Sequence, residues 1–275
     1  PIRTVLQDGV AVFNRVQIFD AAQTNNIEVL RVVDDDDCYT LEMGKNATRV
    51  AASVRFPRPT VSEANRDRSG DYFYLYSKPL VNYYHTIADG LGCIHRYLEL
   101  REVMPEMVLL INSTPRMGLE KYPPFAIELL EAFSITWEYT QQDTVYERVY
   151  FGDTLCNDPD TGKRIRPYGG FYDSLETLVE LSQTANAPDI EKIYLSRRTS
   201  SNPQYTKSLI GEDNTQKRGL VNETEVVEIL SAQGYTEVFG ENYTLCEKIK
   251  MFSSMDYYVS SAGAGVTNCV YKRQG

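Results

Sequence analysis

The chain has 275 residues, enough for one or two domains around a large core, which excludes a small scaffold held by disulfides or metals. Its 28 Lys and Arg against 38 Asp and Glu leave a net charge of −10, the wrong sign for a protein that grips nucleic acid phosphates. Hydrophobic residues make up 42% and charged residues 24%, ordinary globular values, while 20 Tyr beside 10 Phe and one Trp suit polar ligands such as sugars.

The opening third reads as strand-rich. Residues 27–33 and 48–55 have strand character, Asp34-Asp35-Asp36-Asp37 reads as a solvated turn between strands, and 56–70 reads as a polar loop bearing Pro and Arg before a strand over 72–76. From Val81, apolar residues recur at helical spacing (Tyr84, Ile87, Ala88, Leu91, Ile94, Tyr97, Leu98), predicting an amphipathic helix over 82–103 that ends before Pro105. A buried strand over 108–111, a helix over 123–134 introduced by Pro123-Pro124, and a strand over 145–151 follow.

Residues 152–170 form the longest stretch rich in Gly and Pro, so the domain link is placed there, with a helix over 171–185 after it. Then come a strand over 192–196, a helix over 222–233 with Asn222 and Glu225 spaced as a capping box, a strand over 236–239, a helix over 244–254 and a strand over 257–260. Such alternation predicts an α/β protein of two Rossmann-like domains, residues 1–165 and 166–275, facing across a cleft.

No run reaches the ~20 apolar residues that span a bilayer, and the amino end lacks a basic stretch followed by an apolar one. The expectation is a soluble, cytoplasmic protein. The five scattered Cys (38, 93, 156, 246 and 269), without a CxxC pair and with two His in the chain, read as reduced buried thiols rather than a zinc site. Four sequons, at Asn46, Asn112, Asn222 and Asn242, would be open to glycosylation only in a secretory lumen.

Ligands in open α/β sheets sit beyond the carboxyl ends of strands, and several such ends carry informative residues. Arg197 and Arg198 leave the strand over 192–196 and offer planar forks of donors for a diphosphate, although a solvated basic turn would look the same. Gly240, Glu241 and Asn242 follow the next strand, as a plain turn or as a place where backbone approaches a ligand and polar groups meet ribose or base. The run Ser261-Ala262-Gly263-Ala264-Gly265-Val266-Thr267-Asn268 would expose backbone N–H groups at a helix N-terminus, an anion site by geometry.

In the other half, Asn82-Tyr-Tyr-His85-Thr-Ile-Ala-Asp89 puts His85 and Asp89 on one helical face, as a base oriented by a carboxylate or as a buried histidine beside a surface charge. Asp71 is a further candidate base or a strand-capping turn residue, and His95, among Ile94, Arg96 and Tyr97, reads as structural. Asp158-Pro159-Asp160 matches DxD but falls in the presumed link and reads as a turn, so no metal site is expected.

Taken in order, Asn82-Tyr-Tyr-His85-x3-Asp89, Tyr194-Leu-Ser-Arg-Arg198, Arg218-Gly-Leu-Val-Asn-Glu223, Gly234-Tyr235, Glu247 in an amphipathic helix and Gly263-Ala-Gly-x-Thr-Asn268 resemble the family 61 glycosyltransferases from about residue 70 onward. The resemblance implies an inverting, metal-independent enzyme of the GT-B type, using UDP-xylose, UDP-arabinose or UDP-N-acetylglucosamine as donor and a glycan or monosaccharide as acceptor. It further implies that Arg197 or Arg198 holds the diphosphate, that Arg218 supports that loop, and that Gly263 to Asn268 line the nucleotide end. His85 and Asp89, with Asn82, then belong to the acceptor side. Ala262 departs from the family pattern, in which a histidine is common, and relatives usually continue past the position of Gly275 with a further strand and helix.

Overall fold

A computed structural model describes residues 4–6, 10–19, 28–33, 37–43, 48–52, 66–75, 80–113, 121–152, 169–197 and 220–272. Two compact units make up the chain: Pro1–Tyr122 with Ser134–Ser174, and Pro123–Phe133 with Leu175–Gly275.

Among the described residues, the first unit holds a nine-stranded mixed sheet. The strands β1 (Thr4–Leu6), β2 (Val10–Ile18), β3 (Glu28–Val32), β4 (Asp37–Met43) and β5 (Thr48–Ala52) pair antiparallel in sequence. The strands β6 (Arg66–Leu75), β7 (Val108–Ile111), β8 (Trp137–Tyr139) and β9 (Thr144–Gly152) form the other side in the order β9-β6-β7-β8, all parallel, and β9 joins β2 antiparallel. The alternation expected of a Rossmann-like domain therefore holds from β6 to β8, while β9 follows β8 without a helix and an antiparallel array extends the sheet beyond it.

Burial explains the division. Tyr72-Phe73-Tyr74-Leu75 and Leu109-Leu110-Ile111 are buried on successive residues, which only strands covered on both faces require. Edge-to-face pairs of Tyr72 with Tyr146, Phe73 with Tyr97 and Tyr74 with Phe151 lock β6 to β9 and to the helix above. That helix, α1, opens as an α-turn Tyr83–His85, passes through a π-helical segment Thr86–Gly90 and continues as Leu91–Val103. It crosses from β6 to β7, so its first turn lies at the carboxyl end of β6.

Residues 66–70, expected as loop, belong to β6 instead. Their charges are neutralised laterally: Arg68 bonds Glu138 of β8, Arg66 lies 3.5 Å from Asp143, and the strand bulges between Arg68 and Asp71.

In the second unit, β10 (Lys192–Leu195), β11 (Thr236–Val238) and β12 (Tyr257–Ser260) form a parallel sheet in the order β11-β10-β12. Helix α2 (Pro124–Ala132), with Pro at its first position, is part of this unit and bonds to it through Glu128, whose Oε2 accepts the Leu245 N–H at 2.5 Å. Among the described residues the further helices are α3 (Gly169–Ser182), which joins this unit from Leu175 onward, α4 (Glu223–Ala232) and α5 (Leu245–Ser254).

The capping box sits at α5 rather than α4. Thr244 and Glu247 exchange side-chain and backbone bonds, worth about 1 kcal/mol, while Asn222 makes no side-chain cap. Cys93 is buried as expected, but Cys269 is exposed. No helix among the described residues is long and apolar enough to cross a membrane.

Candidate functional site

The carboxyl end of β6 delivers the chain to the first turn of α1. Asn82 Oδ1 accepts the backbone N–H groups of Tyr84 (3.0 Å) and His85 (3.4 Å), so this side chain serves as the helix cap. One turn on, His85 Nδ1 lies 2.5 Å from Asp89 Oδ2. Asp89 is 2% exposed, which removes its reading as a surface charge, and the His85 side chain is 30% exposed.

An ionised carboxylate only accepts, so Nδ1 is the donor in this pair and Nε2 is the ring nitrogen left on the side away from Asp89. The π-helical segment starts directly after His85 and contains Asp89, a local widening that recurs at functional sites. Tyr84, 36% exposed, stands edge-on to the imidazole with centroids 5.1 Å apart.

The carboxyl edge of the second unit gathers three loops. The strand ends are flush, Leu195 beside Val238 and Ser260, and Ser196 donates its N–H to Val238 O at 2.9 Å. The β10 to β11 connection passes to one side of β10 and the β11 to β12 connection to the other, so the gap between β10 and β12 is the switch point where open α/β sheets bind ligands.

Arg197 leaves β10 and its Nη2 occupies the place that a Cβ would take at Gly263, in the loop after β12. Gly263 has φ +148°, a backbone that favours glycine, and its carbonyl accepts the Val266 N–H at 3.1 Å as the 3-10 helix Ala264–Tyr271 begins. Gly265 is small because a side chain there would strike Leu195. Thr267 Oγ1 and Ser261 Oγ are buried in this loop without a hydrogen-bond partner among the described residues.

Asn268 is 2% exposed and bonds the hydroxyl group of Tyr258, which also donates to Gly265 O, so it shapes the loop from beneath. On the other side of β10, Gly240, Glu241 and Asn242 form a 3-10 turn. Arg197, Gly240 to Asn242 and Ala262 to Asn268 thus come together at one sheet edge. Arg198 and Arg218 lie outside the described residues, as does Asp158-Pro159-Asp160.

A family model described as Glycosyltransferase 61 matches residues 83–275, more than two thirds of the chain. The chain belongs to glycosyltransferase family 61. No curated protein matches it. The matched span begins at the helix that carries His85 and Asp89 and includes all three loops of the second unit.

Asp71 is not part of the His85–Asp89 pair. In this family 61 glycosyltransferase it sits inside β6, four residues or about 13 Å before the carboxyl end of the strand. Arg148 grips it with Nε at 2.6 Å and Nη2 at 2.9 Å, and Tyr150 donates its hydroxyl at 3.1 Å. The guanidinium holds the Asp71 carboxyl below its ordinary range, which opposes proton uptake. A cavity of about 460 Å³ borders this stretch, lined by Arg15, Arg68 and Arg148 beside Asp67 and Glu147.

His95 is structural in this glycosyltransferase: its ring bridges Ser174 Oγ (3.0 Å) and Glu99 Oε1 (3.2 Å) against Gly170. Among the described residues no three His, Cys, Asp or Glu side chains gather as a metal-binding group.

The burial of two charged residues escapes a sequence reading. Glu223 is 5% exposed at the start of α4, and Lys248 in α5 lies over the Phe125 ring, where burial lowers its pKa to about 8 against the pull of Glu128, Glu241 and Glu247. Their spacing in the sequence is that of ordinary helix-surface charges, and only partners distant in the chain reveal them.

Proposed function

We propose that this family 61 member is an inverting transferase that moves a sugar from a UDP-sugar, with xylose as the donor sugar, in β linkage to a hydroxyl of an acceptor glycan. The observation that carries the chemistry is the buried Asp89 carboxylate on Nδ1 of a part-exposed His85, which leaves Nε2 as the base. Donor identity is supported by the order of sequence motifs, as is a relation to compact β-xylosyltransferases of chlorella-infecting DNA viruses working on viral N-glycans.

In this mechanism Nε2 of His85 takes the proton of the acceptor hydroxyl as its oxygen attacks the anomeric carbon of the donor. The bond to the diphosphate oxygen breaks on the opposite face, which inverts the configuration. Asp89 holds the imidazole in the required tautomer and offsets the positive charge that develops on it.

UDP leaves as an anion. Arg197 and the N–H groups opening the helix Ala264–Tyr271 receive its diphosphate, with Thr267 and Ser261 supplying hydroxyl donors that have no partner among the described residues. Arginine then does the neutralising that a divalent cation does elsewhere, and transfer proceeds without metal. In the proposed GT-B scheme the unit that carries His85 provides the acceptor side and the unit that carries Arg197 provides the donor side.

Release of UDP from UDP-xylose in the presence of EDTA, with His85→Ala alongside, tests the reading. Turnover that persists in EDTA and falls by about 10²-fold or more in His85→Ala is expected. Turnover abolished by EDTA and restored by Mn²⁺ would overturn the metal-independent part, and unchanged turnover in His85→Ala would remove the assigned base.

A further inference from the structure

Glu223 opens α4 yet points inward to the end of β10. Its Oε1 accepts three donors: the Tyr194 hydroxyl at 2.8 Å, the Ser196 hydroxyl at 3.0 Å and the Arg197 backbone N–H at 2.8 Å. All three belong to the last residues of one strand and the turn that leaves it. A carboxylate is suited to this place because one anionic oxygen can accept several bonds, and because the N-terminus of α4 favours negative charge.

The consequence is mechanical. The backbone of Arg197 is pinned to the first turn of α4 at the point from which its side chain runs to Gly263. A long flexible side chain loses rotamer entropy when held in one position, and fixing its base removes part of that cost before any ligand arrives.

We infer that Glu223 is a positioning residue for diphosphate binding, acting through Arg197 by fixing the turn between β10 and the guanidinium. This rests on the assignment of Arg197 to the diphosphate. Glu223 does not touch the nucleotide in this scheme; Gln in its place keeps the shape but offers a weaker, neutral acceptor.

UDP affinity measured by calorimetry on the full chain for Arg197→Ala, Glu223→Gln and the double variant tests it. Glu223→Gln is expected to weaken UDP binding about tenfold, and to add less than about twofold once Arg197 is Ala, because coupled residues are not additive. Should Glu223→Gln fail to fold, Tyr194→Phe and Ser196→Ala, which each remove one donor and keep the carboxylate, are expected to weaken UDP binding about threefold and to lose that effect beside Arg197→Ala.

UDP affinity unchanged in Arg197→Ala would overturn the diphosphate assignment and this inference with it. A loss in Arg197→Ala together with a Glu223→Gln effect that is absent, or that persists in full in the double variant, would overturn this inference alone. An effect of Tyr194→Phe and Ser196→Ala that is absent, or that persists in full beside Arg197→Ala, would overturn it in the same way.

Discussion

In the proposed mechanism His85 and Asp89 operate as one unit, because a carboxylate on Nδ1 decides which nitrogen is free to take a proton. His85→Ala is expected to lower kcat by about 10²- to 10⁴-fold with UDP affinity unchanged, and Asp89→Asn to lower it by about tenfold or more by releasing the tautomer. Steady-state kinetics with UDP release as the readout separates these from binding defects.

Asp71 makes a contrasting prediction. Its pKa is lowered chiefly by its hydrogen bond from Arg148, so the stabilisation it provides is present above about pH 4 and fades as pH falls through the lowered value. Asp71→Asn therefore costs about 1 kcal/mol at pH 7, a modest figure because Arg148 is 43% exposed, and nothing once the carboxyl is protonated. Urea unfolding at pH 7 and pH 2 checks the stability, and kcat within about threefold of wild type is the kinetic expectation.

At the scale of elements, the loops after β10 and β12 depend on each other. Gly263→Ala meets an unfavourable φ and places a methyl group where Arg197 Nη2 lies; the side chain can swing away, so the fold survives and the guanidinium is displaced. UDP binding weakened about tenfold or more, with Tm lowered by a few degrees, is the expected result of calorimetry and thermal unfolding.

Helix α5 carries a different signature. Lys248 titrates near pH 8 when folded and near 10.5 when exposed, so between these values the unfolded chain binds more protons and stability rises with pH. Relative to Lys248→Met, wild type is expected to gain up to about 3 kcal/mol in urea unfolding between pH 8 and pH 10.5. Equal pH profiles for the two proteins would show that Lys248 is not buried as a charge.

Element by element, legibility followed burial. Strands β7 and β9 and helices α1 to α5 could be read because their apolar spacing is periodic, and α1, α2 and α5 also begin with a capping residue or Pro. The strand β2 could not, since Asn14 and Arg15 interrupt its alternation; its pairing with β9 keeps one register from Val10 to Gln17 and skips Arg15, which adopts φ +51°. The first half of β6 is hidden by charges whose partners, Glu138 and Arg148, lie about seventy or more residues away.

For the whole molecule, the sequence held the types of residue that each half contributes but not their pairing. The i to i+4 spacing of His85 and Asp89 was visible; the π-helical turn and the burial that make them a dyad were not. Likewise Arg197 and the Gly-Ala-Gly loop read as separate weak signals until the strand order β11-β10-β12 placed them at one switch point. Glu223 was legible only as part of a motif, because its role depends on the end of β10, which precedes it by 26 residues or more.

The proposed chemical division between the two units gives the most direct test. UDP affinity and kcat, measured side by side in EDTA on wild type, His85→Ala and Arg197→Ala with UDP-xylose as donor, are predicted to separate cleanly. His85→Ala should lose kcat and keep UDP affinity, whereas Arg197→Ala should lose UDP affinity by about tenfold or more. Unaltered UDP binding in Arg197→Ala, or full turnover in His85→Ala, would contradict the assignment of base to one unit and leaving group to the other.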